Sequence, residues 1–104
     1  MSNTVNEYKE VKNSYGFNSI EVMSESGGRV TLTDFKTKES DRTEVFRTVM
    51  NPHGLGYSKS SYNDAEIDVA IKETQRIVWL TDAEKEHCIT FLKLRKSDQS
   101  HQEG

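Results

Sequence analysis

The sequence has one cysteine, one proline and one tryptophan among 104 residues, and it has no long run of apolar side chains. A single cysteine cannot form an internal disulfide, which is typical of proteins from reducing compartments. No segment approaches the roughly 20 apolar residues that cross a membrane, and no charged start followed by an apolar stretch indicates secretion. We therefore expect a cytoplasmic protein without a membrane contact.

The charges of the chain nearly balance, with 17 acidic and 14 basic residues and a net charge of −3. A general nucleic-acid binder normally shows a basic excess on one face, which this composition does not indicate. Most apolar side chains lie between Phe17 and Leu94. We therefore predict a single domain over residues 17–96, with a loosely ordered arm over 1–16 and a disordered tail over 97–104.

The C-terminal region carries the clearest pattern for a helix. Thr81 and Glu84 have the spacing of a capping box, in which both side chains bond backbone N–H groups at the helix start. Cys88 and Phe91 then fall on one apolar face. The sequence predicts a capped amphipathic helix over about 82–96, packed on a small antiparallel sheet.

A hairpin is predicted near residues 18–35. Ile20 and Val22 are spaced two apart, as are Val30 and Leu32, and this spacing places each pair on one face of a strand. A Ser-Gly-Gly sequence separates the two pairs and supplies residues that tolerate the backbone angles of a tight turn.

Residues 41–50 fit two patterns. A strand from Thr43 to Met50 would put Phe46, Thr48 and Met50 on one face. The apolar stripe of a helix would contain Val45, Phe46, Val49 and Met50. The short helix is slightly favoured, because a proline and a glycine follow where such a helix would end.

Residues 64–76 also fit two patterns. Alternating β-branched residues favour a strand, and they are Ile67, Val69 and Ile71. The face of a helix would instead contain Ile67, Ala70, Ile71, Thr74 and Val78. We predict strands near 66–72 and 76–81, with Trp79 in the core. The predicted fold class is therefore α+β.

Residues 51–63 are the candidate binding segment. One proline, two glycines, three serines and two asparagines in this stretch predict a loop. The residues predicted to bind a partner are His53, Tyr57, Lys59 and Tyr62. Tyrosine is enriched at protein interfaces, and a ring beside a lysine also suits base stacking next to a phosphate.

Neither a catalytic site, a metal site nor a cofactor is predicted. The strong nitrogen and sulfur donors are His53, His87, Cys88 and His101. Their spacing matches no common ligand pattern. Cys88 lies on the apolar face of the predicted helix, where a cysteine is usually a small buried hydrophobe. We therefore expect a protein that is not an enzyme.

One stretch resembles a known family. From Asn63 to Leu92, a predicted strand that ends in Trp79-Leu80-Thr81 and leads into a capped helix looks like the end of the PC4-like single-stranded DNA-binding domains. The resemblance implies a curved antiparallel sheet, one following helix, and DNA bound through basic and aromatic residues of the sheet. This chain departs from that pattern because acidic residues are interspersed among its predicted strands. The basic residues that would have to share one face are Arg29, Lys36, Lys38, Arg47, Lys59 and Lys72.

The predicted function is that of a small non-enzymatic protein that binds another macromolecule, most simply a protein, and modulates or inhibits it by occlusion. The composition suits the inhibitors and accessory factors that phages and mobile elements encode, by analogy of class alone. The alternative is a single-stranded nucleic-acid-binding module with the PC4-like strand–helix architecture. A homodimer would add buried core to so small a chain.

Overall fold

The computed structural model describes residues 8–36 and 43–96, which form one antiparallel sheet and two helices. The strands are β1 (Val11–Lys12), β2 (Asn18–Met23), β3 (Arg29–Lys36), β4 (Thr43–Met50) and β5 (Gly56–Ser61). The helices are α1 (Asp64–Gln75) and α2 (Asp82–Leu94). Each strand pairs with the next one along the chain, so the order in the sheet follows the order in sequence. The predicted α+β class is confirmed.

Three of the turns between neighbouring strands share one geometry. In each, an Asn or Ser carbonyl accepts a hydrogen bond from a glycine N–H three residues later, and the Asn or Ser side chain accepts one from the intervening backbone. The pairs are Asn13 with Gly16, Ser24 with Gly27, and Asn51 with Gly54. All three glycines have φ between 87° and 104°, a region that other residues avoid.

The two helices cover one face of the sheet. Alternate residues of a strand point to the same face, and the buried apolar residues of β2, β3 and β4 alternate in this way. They are Ile20, Val22, Val30, Leu32, Val45 and Val49. The core is completed by Leu80, by Ile67 and Ala70 of α1, and by Cys88, Phe91 and Leu92 of α2. The opposite face carries a mixture of polar, charged and apolar side chains, and Phe35 packs there against Phe17 and Phe46.

The predictions for the hairpin and for the last helix are confirmed. The hairpin predicted near 18–35 is β2 and β3, joined by the turn that contains Gly27. Thr81 and Glu84 form the capping box: the Thr81 Oγ1 accepts from the Glu84 N–H at 3.1 Å, and the Glu84 Oε1 accepts from the Thr81 N–H at 2.9 Å. Helix α2 ends at Leu94, two residues before the predicted end.

The short helix predicted over 41–50 is wrong, because residues 43–50 form strand β4; residues 41 and 42 lie outside the described residues. Strand β4 pairs along its length with β3 and, from Val45 onwards, with β5. Its apolar residues divide between the two faces: Val45 lies under the helices, whereas Phe46 packs against Phe35 on the other side. The predicted stripe arose because both faces of this strand carry apolar side chains.

The strands predicted near 66–72 and 76–81 are also wrong. Residues 66–72 lie in α1, whose buried residues Ile67, Ala70 and Thr74 have helical spacing. Asn63 caps this helix, since its side chain accepts a hydrogen bond from the Glu66 N–H at 2.9 Å. Residues 76–81 form the irregular connection between the two helices. Helical packing against the sheet outweighs the weak strand preference of the β-branched residues.

The beginning and the end of the described chain meet. Arg95, directly after α2, donates hydrogen bonds to both carboxylate oxygens of Glu10, at 2.8 and 2.9 Å, and to Asp34 at 3.1 Å. Its guanidinium carbon lies 3.7 Å from the centre of the Phe91 ring. Residues 1–7 of the predicted arm and the predicted tail over 97–104 lie outside the described residues. Among the residues that are described, neither helix is long and apolar enough to span a membrane.

Candidate functional site: an apolar groove beside the edge strand

The segment predicted as a loop over 51–63 is mostly ordered into a hairpin, so that prediction is wrong. Residues 51–55 are the turn, and Gly56–Ser61 form β5, paired with β4. Backbone hydrogen bonds hold this strand, and they do not require apolar side chains. A strand such as β5, with few apolar side chains, therefore cannot be recognised from an alternating apolar pattern in the sequence.

The four residues predicted to bind a partner do not form one cluster. His53 lies on the exposed tip of the turn, and Tyr62 follows the end of β5. Tyr57 and Lys59 point to the helix side of the sheet, with Tyr57 beside one groove and Lys59 beside a smaller cavity of about 150 Å³. Only Tyr57 therefore belongs to the larger site.

A groove of about 430 Å³ lies between the turn that precedes β5 and the connection between the helices. This volume falls within the range of small-ligand and side-chain pockets. Its apolar walls are formed by Leu55, Tyr57, Ile77, Val78 and Trp79. The groove thus brings together two segments that are about twenty residues apart in sequence.

Several walls of this groove are exposed to solvent to an unusual degree. Val78 is 91% exposed, Leu55 is 70% exposed and Tyr57 is 47% exposed. Single exposed apolar residues are ordinary, but neighbouring ones that line a common groove are typical of contact surfaces. The groove is therefore the candidate site of the molecule.

Trp79 is fixed in place as one wall of the groove. Its ring lies so close to Gly28 that a Cβ atom on that residue would come within 2.4 Å of the ring. The Trp79 carbonyl accepts hydrogen bonds from the Ser24 hydroxyl at 3.0 Å and from the Ser26 hydroxyl at 3.3 Å. Trp79 is partly buried against the core, although it lies in a connection between helices and not in the predicted strand.

Arg76 supplies the positive charge of the groove. It is exposed at the end of α1, and its side chain makes no ion pair or hydrogen bond with the other described residues. Lys59 on the neighbouring strand is instead paired with Glu73, at 3.3 Å. The groove therefore combines apolar walls with one cation, Arg76, that has no counter-charge among the residues that the structure describes.

The smaller cavity is lined by the buried side chain of Arg47, whose ion-pair partner Glu73 is partly exposed. Arg47 of β4 is 2% exposed, donates a hydrogen bond to the Ala70 carbonyl at 3.1 Å and forms an ion pair with Glu73. Hydrogen bonding to Arg47 lowers the pKa of Glu73 below its ordinary value, against the opposing effect of burial. Glu73 thus holds both Arg47 and Lys59, which gives this cluster a structural role.

The basic residues required for the nucleic-acid alternative do not gather on one face. Arg29 lies on the face opposite the helices, 3.5 Å from Glu21, whereas Arg47 is buried beneath α1. Lys59 lies beside α1, and Lys72 lies on that helix. Lys38 and the side chain of Lys36 are outside the described part of the chain.

The stretch that resembles the PC4-like domains has a different structure from the one the resemblance implied. Between Asn63 and Leu92 the chain forms two helices, and the residues before Thr81 are not a strand. The five-stranded sheet precedes both helices. The strand–cap–helix signature is therefore reduced to the capped helix, which many folds share.

Cys88 has the environment expected of a structural cysteine. It is fully buried, and burial raises the pKa of its thiol to about 12. The thiol is therefore protonated near neutral pH, whereas a nucleophilic cysteine needs its thiolate. His87, its neighbour in sequence, packs edge-on against the Tyr8 ring at 6.1 Å. In the described residues no three His, Cys, Asp or Glu side chains are grouped to hold a metal ion; His101 lies outside them.

Three residues of the groove were not predicted as site residues from the sequence: Leu55, Arg76 and Val78. Arg76 and Val78 fell in a predicted strand, and Leu55 had no apolar neighbour in sequence. One signal was present for Leu55: the Asn-x-x-Gly spacing from Asn51 to Gly54 repeats that of the first turn, which would have indicated a hairpin. Comparisons with protein-family models, with curated proteins and with solved structures found no match.

Proposed function

We propose that this is a small, non-enzymatic, cytoplasmic protein that binds another protein through the groove and modulates or inhibits that partner by occlusion. The observation that carries this function is the exposure of Val78 beside Leu55 and Tyr57, in a groove that Trp79 also lines. Inhibitors and accessory proteins of phages and mobile elements are the class that fits such a small binding domain, by analogy alone.

The energetics suit a compact contact. Complete burial of a Val or Leu side chain is worth about 1.5–3 kcal/mol. Rigid aromatic residues in a well-packed pocket commonly carry most of the energy of an interface, and Trp79 and Tyr57 are placed for that role. A partner that covers the groove would also cover the adjacent edge of the sheet at β5. The surface of the partner that becomes occluded would therefore be larger than the area in contact with the groove.

Single-stranded nucleic acid is the less favoured partner. Such binding depends on a positively charged track with exposed rings. Here Arg47 and Lys59 both form ion pairs with Glu73, and Arg29 lies on the face of the sheet opposite the helices. Binding to nucleic acid would weaken steeply with added salt, whereas burial of the apolar groove would not.

The test is affinity capture from a lysate of the host cell, with and without nuclease, using wild-type protein and two valine variants. Val78→Ser removes an exposed wall of the groove. Val69→Ser is the matched control, since Val69 is also exposed but lies on α1 beside the smaller cavity. We expect a stoichiometric protein partner that survives nuclease, is lost with Val78→Ser and is retained with Val69→Ser.

Two results would contradict this function. Equal capture by both valine variants would show that the groove is not the contact. Recovery of nucleic acid, together with loss of the captured proteins after nuclease treatment, would favour the single-strand-binding module instead. Melting curves of both variants provide the folding control, and they should match that of the wild type because both side chains are exposed.

A further inference from the structure

Strand β5 offers an open edge next to the groove. Its only neighbour within the described residues is β4. The four residues from Gly56 to Lys59 are exposed, whereas Ser60 is half-buried and Ser61 is buried, so the open part of this edge runs from Gly56 to Lys59. An exposed strand edge presents unpaired backbone groups that can bond another strand. Lysine on an edge normally discourages such pairing, but Lys59 is drawn to Glu73.

The turn determines which backbone groups face outward. The Asn51 N–H donates to the Leu55 carbonyl at 2.7 Å. Opposed residues in an antiparallel ladder alternate between hydrogen-bonded and non-hydrogen-bonded pairs. Counting from that bond, the pair of Val49 and Tyr57 is hydrogen-bonded and the pair of Thr48 and Ser58 is not. The N–H and C=O groups of Ser58 therefore point away from β4, toward the open edge.

The groove lies on the helix side of the sheet. A segment paired with β5 would direct every second side chain to that side. Tyr57 belongs to β5 and also lines the groove. Directly opposed residues in paired strands point to the same face. A residue of an added strand that lies opposite Tyr57 would therefore project its side chain toward Val78 and Trp79.

Arg76, which has no ion-pair partner within residues 8–36 and 43–96, indicates a second feature of the ligand. A cation without a counter-charge favours a complementary acidic group in the partner. Residues two apart in an extended segment share one face. An Asp or Glu two positions from the apolar residue that enters the groove would therefore lie on the same side of the segment, toward Arg76.

We propose, on the basis of the function given above, that the partner contributes an extended segment that pairs with β5. Its backbone bonds Ser58, its large apolar side chain enters the groove, and an Asp or Glu on the same side meets Arg76. This combines strand addition, which supplies affinity through the main chain, with side-chain pockets that supply specificity. A second copy of this chain fits less well, because antiparallel pairing of two β5 edges through Ser58 would place Lys59 of one copy, and not a large apolar side chain, opposite Tyr57 of the other.

The probe is a phage-displayed library of random linear peptides, selected on the full-length chain. We expect enriched sequences to contain a large apolar residue with Asp or Glu two positions away. Enriched peptides without tryptophan are then synthesised and titrated into the protein. The emission of Trp79 reports occupancy of the groove, since this is the only tryptophan in the chain.

Two variant pairs separate the contributions of the edge and of the charge. Ser58→Pro removes the outward N–H and is compared with Ser58→Ala, which keeps it. Arg76→Glu reverses the free charge and is compared with Arg29→Glu on the other face of the sheet. We expect Ser58→Pro and Arg76→Glu each to raise the Kd at least about tenfold, or about 1.4 kcal/mol, while the two controls bind like the wild type.

A measurement on the wild-type protein guards against misfolding of Ser58→Pro. Methylation of alternate backbone nitrogens of an enriched peptide should abolish binding in one register and spare it in the other. Peptides that bind Ser58→Pro normally and tolerate methylation in both registers would overturn strand pairing. Enriched peptides that lack an acid and ignore Arg76→Glu would overturn the carboxylate.

Failure of this inference can be told apart from failure of the proposed function. If no enriched peptide shifts the emission of Trp79, the extended segment is wrong, yet capture of a partner that depends on Val78 would still support protein binding by the groove. A shift in emission with protein concentration alone would indicate a second copy of the chain and would overturn the proposed ligand.

Discussion

Arg47 stands between Val45 and Val49 on the covered face of β4, where an apolar residue would be expected from its neighbours. Its charge is compensated by Glu73 and by the Ala70 carbonyl, both in α1. Glu73 is partly exposed, but the Arg47 guanidinium is buried, and a buried charge is costly to leave without its partner. We infer that this pair specifies how α1 lies on the sheet.

This role can be tested with a double-mutant cycle. Glu73→Leu leaves the buried Arg47 guanidinium without a carboxylate and should lower the free energy of unfolding by about 3 kcal/mol. Adding Arg47→Met removes the orphaned charge and should restore most of that loss. Urea unfolding of Glu73→Leu, Arg47→Met and the double variant measures both effects. A double variant as unstable as Glu73→Leu alone would show that the charge is not the cause.

Phe91 is the largest of the fully buried side chains. Phe91→Ala should lower the free energy of unfolding by about 3–5 kcal/mol, since it leaves a cavity in the core beneath α2. Leu94→Ala, in the last turn of the same helix, is the control because Leu94 is exposed. Thermal melting compares the two, and equal effects would contradict the docking of α2 through Phe91.

At the scale of elements, segments with a single consistent signal were predicted correctly. Helix α2 was recognisable because the capping box, the apolar face and the position of the charges agree. The β2–β3 hairpin was recognisable from spaced apolar residues around a glycine turn. The local sequence is sufficient to determine these two elements, and tertiary packing does not change their secondary structure.

The elements that were predicted wrongly depend on contacts distant in sequence. Strand β4 carries apolar residues on both faces and a buried Arg47, so its pattern imitates a helix. Strand β5 has almost no apolar pattern. Helix α1 contains β-branched residues at alternate positions, and packing against the sheet decides in favour of the helix. The groove is formed by two segments, β5 with its preceding turn and the connection after α1, which only the folded structure brings together. Of its residues, only Tyr57 was therefore predicted as a binding residue.

The capping box of α2 is local, because the side chains of Thr81 and Glu84 bond backbone N–H groups at the start of the same helix. Thr81→Ala should lower the free energy of unfolding by about 1 kcal/mol, through loss of the side-chain acceptor for the Glu84 N–H. Combining it with Glu84→Ala should cost less than the sum of the two single changes, because the two residues form one motif. Chemical unfolding measures the cycle, and strict additivity would contradict the reciprocal cap.

At the scale of the whole molecule, two ion pairs make stability depend on pH. Hydrogen bonding to Arg95 lowers the pKa of Glu10, and hydrogen bonding to Arg47 lowers that of Glu73, both from an ordinary value of 4.5. Each carboxylate therefore binds its proton less readily in the folded protein than in the unfolded chain. This contribution to the free energy of unfolding is complete above the ordinary pKa and is lost as the pH falls through the lowered values.

Urea unfolding over a pH series tests this dependence. We expect stability to decline on acidification below about pH 4.5. Glu10→Gln should lower stability near neutral pH and make the acid decline shallower, because one of the two linked carboxyl groups is absent. An unchanged slope in this variant would show that the contact between Glu10 and Arg95 does not contribute to the acid sensitivity.

The contact between Glu10 and Arg95 joins residues 85 apart in sequence and brings the two ends of the described chain to one corner. Arg95 also binds Asp34, which lies four residues, or about 13 Å, along β3 from Val30. Val30 pairs with Val49, which in turn pairs with Tyr57 at the groove. Attaching the protein to a sensor surface at a residue next to Glu10 or Arg95 should therefore hold it away from the groove, which stays open to the solution.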